Sequence, residues 1–290
     1  MASSKIQSIF RPGLFKDKVA IVTGGGTGIG KAISIELLYL GCKVIIASRK
    51  KEILSKAVDK MCVLLKDRAP DVCSIVCDIR KENEVQNLVA ETLKRYGKID
   101  FLVNNGGGQF LSPAADITSR GWDAVVETNL KGPFLLSKEV YCKWMKDHGG
   151  SIVNILMDFE RGVPLMAHSG AARSGLDNLT KSLAVEWAAD GIRINAVAPG
   201  HSIYSETAAK NYPINVFDMA KDRVPAKRLG LPEEVSSAVC FLLSPGASFI
   251  SGETLHVDAG GRLYSPLMVE IPDHNKLPPF TEDTGSKSKL

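Results

Sequence analysis

Short, nearly unbroken apolar runs alternate along this chain with longer stretches whose apolar residues recur every three or four positions. Residues 18–23, 43–47, 72–77, 99–103, 151–155, 192–197 and 254–257 carry β-branched runs that read as buried strands. Between them, 28–40, 52–66, 82–96, 119–148, 169–189 and 232–243 have helical period, the long fourth stretch stopping at Gly149-Gly150. Strands apolar on both faces, each followed by a helix, predict an α/β fold: one doubly wound parallel sheet covered on both sides. The pattern divides the chain into an arm at 1–14, a single domain at 15–262 and a polar, proline-containing tail at 263–290. One segment, 200–224, is polar, contains Pro213 and has no clear period. It follows the C-terminal end of a strand, where such sheets bind ligands, so it is expected to cover the substrate.

Composition narrows the class. In 290 residues, 44% hydrophobic, there is ample core for one domain. A net charge of +4, without a basic cluster, gives no reason to expect a nucleic-acid partner. No apolar run reaches the roughly 18 residues of a membrane span. The first residues, MASSKIQSIFRPG, lack the layout of a secretory signal. The six cysteines and five histidines show no metal-ligand spacing, so the thiols are expected reduced and no metal is expected. The chain ends Ser288-Lys289-Leu290, the tripeptide read by the peroxisomal import receptor, which predicts a peroxisomal location. The competing reading is a solvated tail with that ending.

Candidate chemistry begins after the first strand. Gly24, Gly26, Gly28 and Gly30 lie around Thr27 and Ile29 in a turn that opens a helix. Such a turn lets the backbone approach a pyrophosphate, and the helix N-terminus supplies free N–H groups and positive dipole. Its context, strand before and helix after, makes it a Rossmann-like dinucleotide site. The second strand runs into Ser48, Arg49 and Lys50, with no acid to hold a ribose 2′-hydroxyl. Two cations and a hydroxyl there suit a 2′-phosphate, so NADPH is the expected cofactor.

Together Thr23–Gly30, the Asn104-Asn105-Gly106-Gly107 run, Asn129, and the run from Asn195 to Pro199-Gly200 resemble the short-chain dehydrogenase/reductase family over about 15–261. That resemblance implies further cofactor contacts: Asp78 and Ile79 near the adenine, Asn105, Gly106 and Gly107 near the adenosine ribose, and Pro199 and Gly200 near the nicotinamide. It also implies a tetramer or dimer packed through the two long helices, with a homotetramer expected. The stretches NNGGGQFLSPA, HSGAAR, NLTKSLA and VPAKRLGLPEEVS are similar to the peroxisomal trans-2-enoyl-CoA reductases of that family. This implies NADPH-dependent reduction of the 2,3 double bond of acyl-CoA thioesters in fatty-acid metabolism.

The sequence departs from the family where the proton is handled. The family's Ser, Tyr and Lys, the last two spaced Y-x-x-x-K, are absent. Counting back from Asn195 puts Ser169 at the Tyr position and Arg173 at the Lys position, with Leu156 or Met157 for the Ser. A second register sets Asp177 where close relatives resemble Y-N-L-T-K. Arg173 can hold ribose hydroxyls but cannot relay a proton, because it does not deprotonate. Arg173, Asp177 and Lys181 share i, i+4 spacing, so Asp177 reads first as part of an ion-pair ladder and second as a catalytic acid. Among the tyrosines, Tyr204 and then Tyr212, both in the covering segment, are candidate donors; an apolar loop anchor is the other reading of Tyr204. Asn129 is a candidate either for relay or for holding a helix kink. Reducing an enoyl thioester leaves an enolate that needs hydrogen-bond donors, available from Asn129, the backbone near Gly107-Gly108 and Tyr204. The alternatives are 2,4-dienoyl-CoA reduction, disfavoured by Asp158 where those enzymes resemble one another in carrying Tyr, and a catalytically silent NADPH-binding protein.

Overall fold

The computed structural model describes residues 8–205, 209, 216–265, 267 and 269–280. Seven parallel strands form one sheet in the order β3-β2-β1-β4-β5-β6-β7. They are β1 (Val19–Thr23), β2 (Lys43–Ser48), β3 (Val72–Val76), β4 (Phe101–Asn104), β5 (Gly150–Ile155), β6 (Ile192–Pro199) and β7 (Thr254–Val257). The helices α1 (Gly28–Tyr39), α2 (Lys51–Leu64) and α3 (Glu82–Tyr96) follow the first three strands. After β4 come α4 (Ser119–Val126), α5 (Gly132–Val140) and α6 (Lys146–His148), then α7 (Ala167–Glu186) after β5. Beyond β6 lie α8 (Val216–Asp222) and α9 (Pro232–Leu243).

The alternation of side chains along the strands makes two cores. Ala20 and Val22 of β1 and Val44 and Ile46 of β2 pack beneath α1 and α9, with Ile33, Leu37 and Val239. Val19 and Ile21, with Ile45 and Ala47, face the other way onto Leu88 of α3, Leu136 of α5 and Leu183 of α7. Fully burying each such aliphatic side chain contributes about 1.5–3 kcal/mol. This is why the strands read as continuous apolar runs.

The predicted helix over 119–148 is continuous but contains two π turns, Glu127–Lys131 and Tyr141–Met145. Neither has a signal in the apolar period. The helix expected over 169–189 begins earlier, at Ala167, and gives way after Glu186 to a 3-10 turn at Ala188–Asp190. In the aperiodic segment the short helix α8 forms, and Ile203 makes a parallel bridge to Gly230. The strand order reverses between β1 and β4, and the crevice beyond their C-terminal ends is where this architecture binds ligands.

Candidate active site

A cleft of about 660 Å³ lies along that edge. Its floor starts at Thr23, which is buried at the end of β1. The Thr23 hydroxyl accepts the N–H groups of Asn105 (3.0 Å) and Gly106 (2.8 Å), while the Asn105 amide donates to the Thr23 carbonyl (2.9 Å). These bonds fix the turn after β4 against the glycine turn after β1. A Cβ on Gly30 would stand 2.3 Å from the Asn105 amide nitrogen and 2.4 Å from the Gly24 carbonyl. Glycine at 30 is therefore demanded by close packing of the two turns.

Several features fit a dinucleotide. Helix α1 begins at Gly28 with no side-chain cap and no acid in its first turn, leaving its N–H groups to a ligand. Thr27, Gly28, Ile29 and Gly30 line the cleft, as do Ser48, Arg49 and Lys50 at the end of β2. Asp78 and Ile79 line it beyond β3. The Asp78 carboxylate is committed to Arg80 at 2.6 Å, and that hydrogen-bonded pair holds its pKa below the usual carboxylate value, with Arg49 adding a weaker pull. Among the described residues no carboxylate forms a salt bridge with Arg49 or Lys50, and both cations stand exposed at the rim. Pro199 and Gly200 line the opposite end.

Arg173 is the most informative side chain. It reaches from α7 into the cleft wall, is 6% exposed, and donates through Nη1 to the Ile155 carbonyl. Its Nε is buried without a partner, and among the described residues no carboxylate pairs with it. Burial alone pushes its pKa down to about 10. A Cβ on Gly107 would lie 2.3 Å from Nη2 and 2.8 Å from the Asn129 oxygen, so the turn after β4 must pass between these groups as bare backbone. An unpaired buried cation at the floor of a cleft is a site built to meet a ligand.

Asn129 sits in the first π turn, fully buried. Its oxygen accepts from Gly108 N–H (3.1 Å) and its amide donates to the Gly108 carbonyl (2.8 Å). The side chain thus clamps the turn that carries Gly107 and Gly108.

The positions matching the family's hydroxyls are filled differently. Ser169 is fully buried and donates to the Gln109 side-chain oxygen (3.0 Å), with the Met157 sulfur at 3.5 Å. Gln109 and Met157 line the cleft, and Leu156 is largely buried beside them. Sequence reasoning did not single out Gln109. Its only signal is its place directly after three glycines, and its link to Ser169 spans 60 residues.

Two candidates lie apart from this group. Asp177 bonds Lys181 on its own helix and accepts from the Thr254 hydroxyl of β7, and it is not part of the cleft wall. Arg173, although i−4 to it, takes no part in that ladder. Tyr204 is 38% exposed, with its ring edge-on to Phe217 at 5.1 Å, and the cleft wall does not include it. Tyr212 and Ser288-Lys289-Leu290 lie outside the described residues. Among the described residues no group of three His, Cys, Asp or Glu is placed to hold a metal, and no helix is long and apolar enough to cross a membrane.

Comparison with known proteins agrees with this architecture. The family model described as enoyl-(acyl carrier protein) reductase matches residues 24–261. The peroxisomal 2,4-dienoyl-CoA reductase [(3E)-enoyl-CoA-producing] of Danio rerio is 38% identical over 279 residues, covering 92% of this chain and 89% of that protein. Among solved structures, the citronellol catabolism dehydrogenase AtuB of Pseudomonas aeruginosa PAO1 is 45% identical with a TM-score of 0.78, covering 89% of this chain and all of that one. A variant of the actinorhodin polyketide ketoreductase, solved with NADPH, is 31% identical with a TM-score of 0.79, covering 88% of this chain and all of its own. With its parallel seven-stranded sheet, glycine turn and matched span, this chain belongs to the short-chain dehydrogenase/reductase family of oxidoreductases.

Proposed function

We propose that this protein uses NADPH to reduce the 2,3 double bond of trans-2-enoyl-CoA thioesters in the peroxisome. The carrying observation is the chemistry at the Arg173 end of the cleft. Ser169, Gln109 and Met157 occupy the ground where a carbonyl reductase of this family needs an ionisable hydroxyl beside a lysine, and Arg173 supplies a fixed charge in place of a proton relay. Such a site is poorly equipped to protonate an alkoxide. It is equipped to hold an enolate, because it offers donors and positive charge.

NADPH, when bound, supplies the hydride that adds at Cβ. Arg49 and Lys50 bind its 2′-phosphate, and the N-terminus of α1 binds its pyrophosphate. Arg173 holds the ribose hydroxyls near the nicotinamide and contributes positive potential to a buried region. Gln109, whose oxygen accepts from Ser169, places a polar side chain on the cleft wall at this end. Asn129 keeps Gly107 and Gly108 in place as backbone partners. The proton reaches Cα from water.

A second reading, 2,4-dienoyl-CoA reduction, is favoured by the Danio rerio relative, which outweighs the Asp158 difference as a reason to test it. Both reactions pass through a thioester enolate protonated at Cα, and they differ in whether the hydride enters at Cβ or two carbons further along. The test is NADPH oxidation with a trans-2-enoyl-CoA and with a 2,4-dienoyl-CoA, the products identified by mass spectrometry and NMR. A saturated acyl-CoA from the first substrate is the expected result. A 3-enoyl-CoA from the second, with no turnover of the first, moves the assignment to dienoyl reduction. NADPH binding without turnover of either identifies a silent binder. The proposed location and homotetramer are checked by fluorescence of the chain with and without Ser288-Lys289-Leu290, and by sedimentation.

A further inference from the structure

A second cavity, of about 350 Å³, adjoins the first. The two share Gly200, His201 and Ala220, so they meet at the end of the cleft where the nicotinamide belongs. From there the second cavity runs under α8 toward the turn after β7. Met219, Ala220 and Val224 form one side, and Gly200 and Gly261 form the other.

The carboxylates of its wall are already committed. The Asp258 carboxylate accepts from the N–H groups of Gly260 (3.0 Å) and Arg262 (2.9 Å) and also faces the Arg262 guanidinium. Asp158 accepts from Glu160 N–H (3.4 Å) and faces the His201 ring at 3.9 Å. Arg223 is exposed at the rim. Besides the two glycines and Ser202, what remains is the aliphatic side of Met219, Ala220 and Val224, with Val224 only 6% exposed. A compartment joined to the hydride end, and lined this way, suits an unbranched hydrocarbon better than a polar group.

We infer that this cavity receives the acyl tail of the thioester and that Val224 sets the longest chain it accommodates, an inference that rests on the acyl-CoA reading above. The carbon that takes the hydride lies by Pro199-Gly200, and the chain beyond it leaves past His201 and Ala220. A methylene is about as large as a water molecule, which occupies roughly 30 Å³. The cavity therefore takes on the order of ten methylenes at that size. Beyond that length the tail emerges into solvent and gains nothing.

The experiment measures Kd of saturated acyl-CoAs, from butanoyl to hexadecanoyl, on NADP+-loaded protein by calorimetry. Saturated chains need no turnover, so the outcome is separate from the reductase reading, which fails on its own if no enoyl-CoA oxidises NADPH. Affinity is expected to rise by about fourfold per methylene and then level off. In Val224→Phe the levelling comes at a shorter chain, and in Val224→Ala at a longer one. NADPH titration of each variant reports that it is folded, and Val224→Ala carries the test where the larger residue prevents folding. A flat series in the unaltered protein, or levelling at the same chain length in all three proteins, overturns the inference.

Discussion

Replacing Arg173 by Met is expected to leave the ligand-free protein at least as stable as before while disabling its cofactor site. The guanidinium is buried, and burial lowers its pKa from 12.5 to about 10. A fall of that size corresponds to a penalty of about 3 kcal/mol on the folded state. Because the folded-state pKa lies below the unfolded one, the penalty is fully present below pH 10 and is relieved as pH rises from about 10 toward 12.5. Against it stands the bond to the Ile155 carbonyl, which as a charge-assisted bond contributes about 1.5–3 kcal/mol. The balance for Arg173→Met is a stabilisation on the order of 1 kcal/mol at most. That is a rise in Tm of up to about 4 °C in a chain of this size. Differential scanning fluorimetry without ligand gives the first number, and NADPH titration by fluorescence gives the second, expected to weaken at least about tenfold, or 1.4 kcal/mol. A fall in Tm beyond about 4 °C would show Arg173 to be structural, and unchanged NADPH affinity would remove it from the cofactor site.

Arg49→Asp should weaken NADPH far more than NADH in the same titration, and equal weakening of both would refute the 2′-phosphate assignment. Asn129→Ala removes both bonds to Gly108 and should cost about 2–4 kcal/mol in urea unfolding, with turnover falling because the Gly107-Gly108 turn loosens. Glu36, beneath α9, has its pKa raised by burial despite bonds from Ser236 and Ser8. Its folded value thus exceeds the unfolded one, so this group's contribution to stability grows as pH falls from neutral toward 4.5; Glu36→Gln should flatten that limb of the Tm–pH curve. Asp177→Asn should lower Tm by weakening the ties to Lys181 and Thr254, with kcat/KM for an enoyl-CoA within about twofold of the unaltered protein, a difference of about 0.4 kcal/mol; a hundredfold loss would restore Asp177 as a catalytic candidate.

The architecture was readable because the central β-branched runs are buried on both faces, as with Val19–Thr23, while the edge strands Val72–Val76 and Thr254–Val257 are only partly so, and because period and glycine placement are local properties. The cofactor turn was readable for the same reason: its strand, glycines and helix are contiguous. The reaction end of the cleft was not. Ser169 and Gln109 meet only because β4 and β5 are neighbours in the sheet, and no spacing rule joins positions 60 apart. The register of Arg173 was countable, but its lack of a carboxylate partner depends on what the folded chain places around it. Asp177 shows the reverse case. The i, i+4 pattern predicted a ladder with both neighbours, and tertiary packing drew Arg173 inward and gave Asp177 to Thr254 instead.

The packing around Ser169 bears on how such a protein diversifies. Its hydroxyl has no exposure and lies against Gln109 and Met157, which come from two different loops. A phenol at 169 would displace the Ser169 bond to Gln109 and would still face Arg173 in place of a lysine, so that single substitution does not restore the family's proton relay. Passage between a carbon–carbon and a carbonyl reductase on this scaffold then takes coordinated changes at 169, at 173 and at the residues packed against them. A lineage that has once filled this ground is held to its chemistry by an epistatic ratchet, and laboratory evolution toward ketone substrates would have to change Ser169 and Arg173 together with Gln109 and Met157.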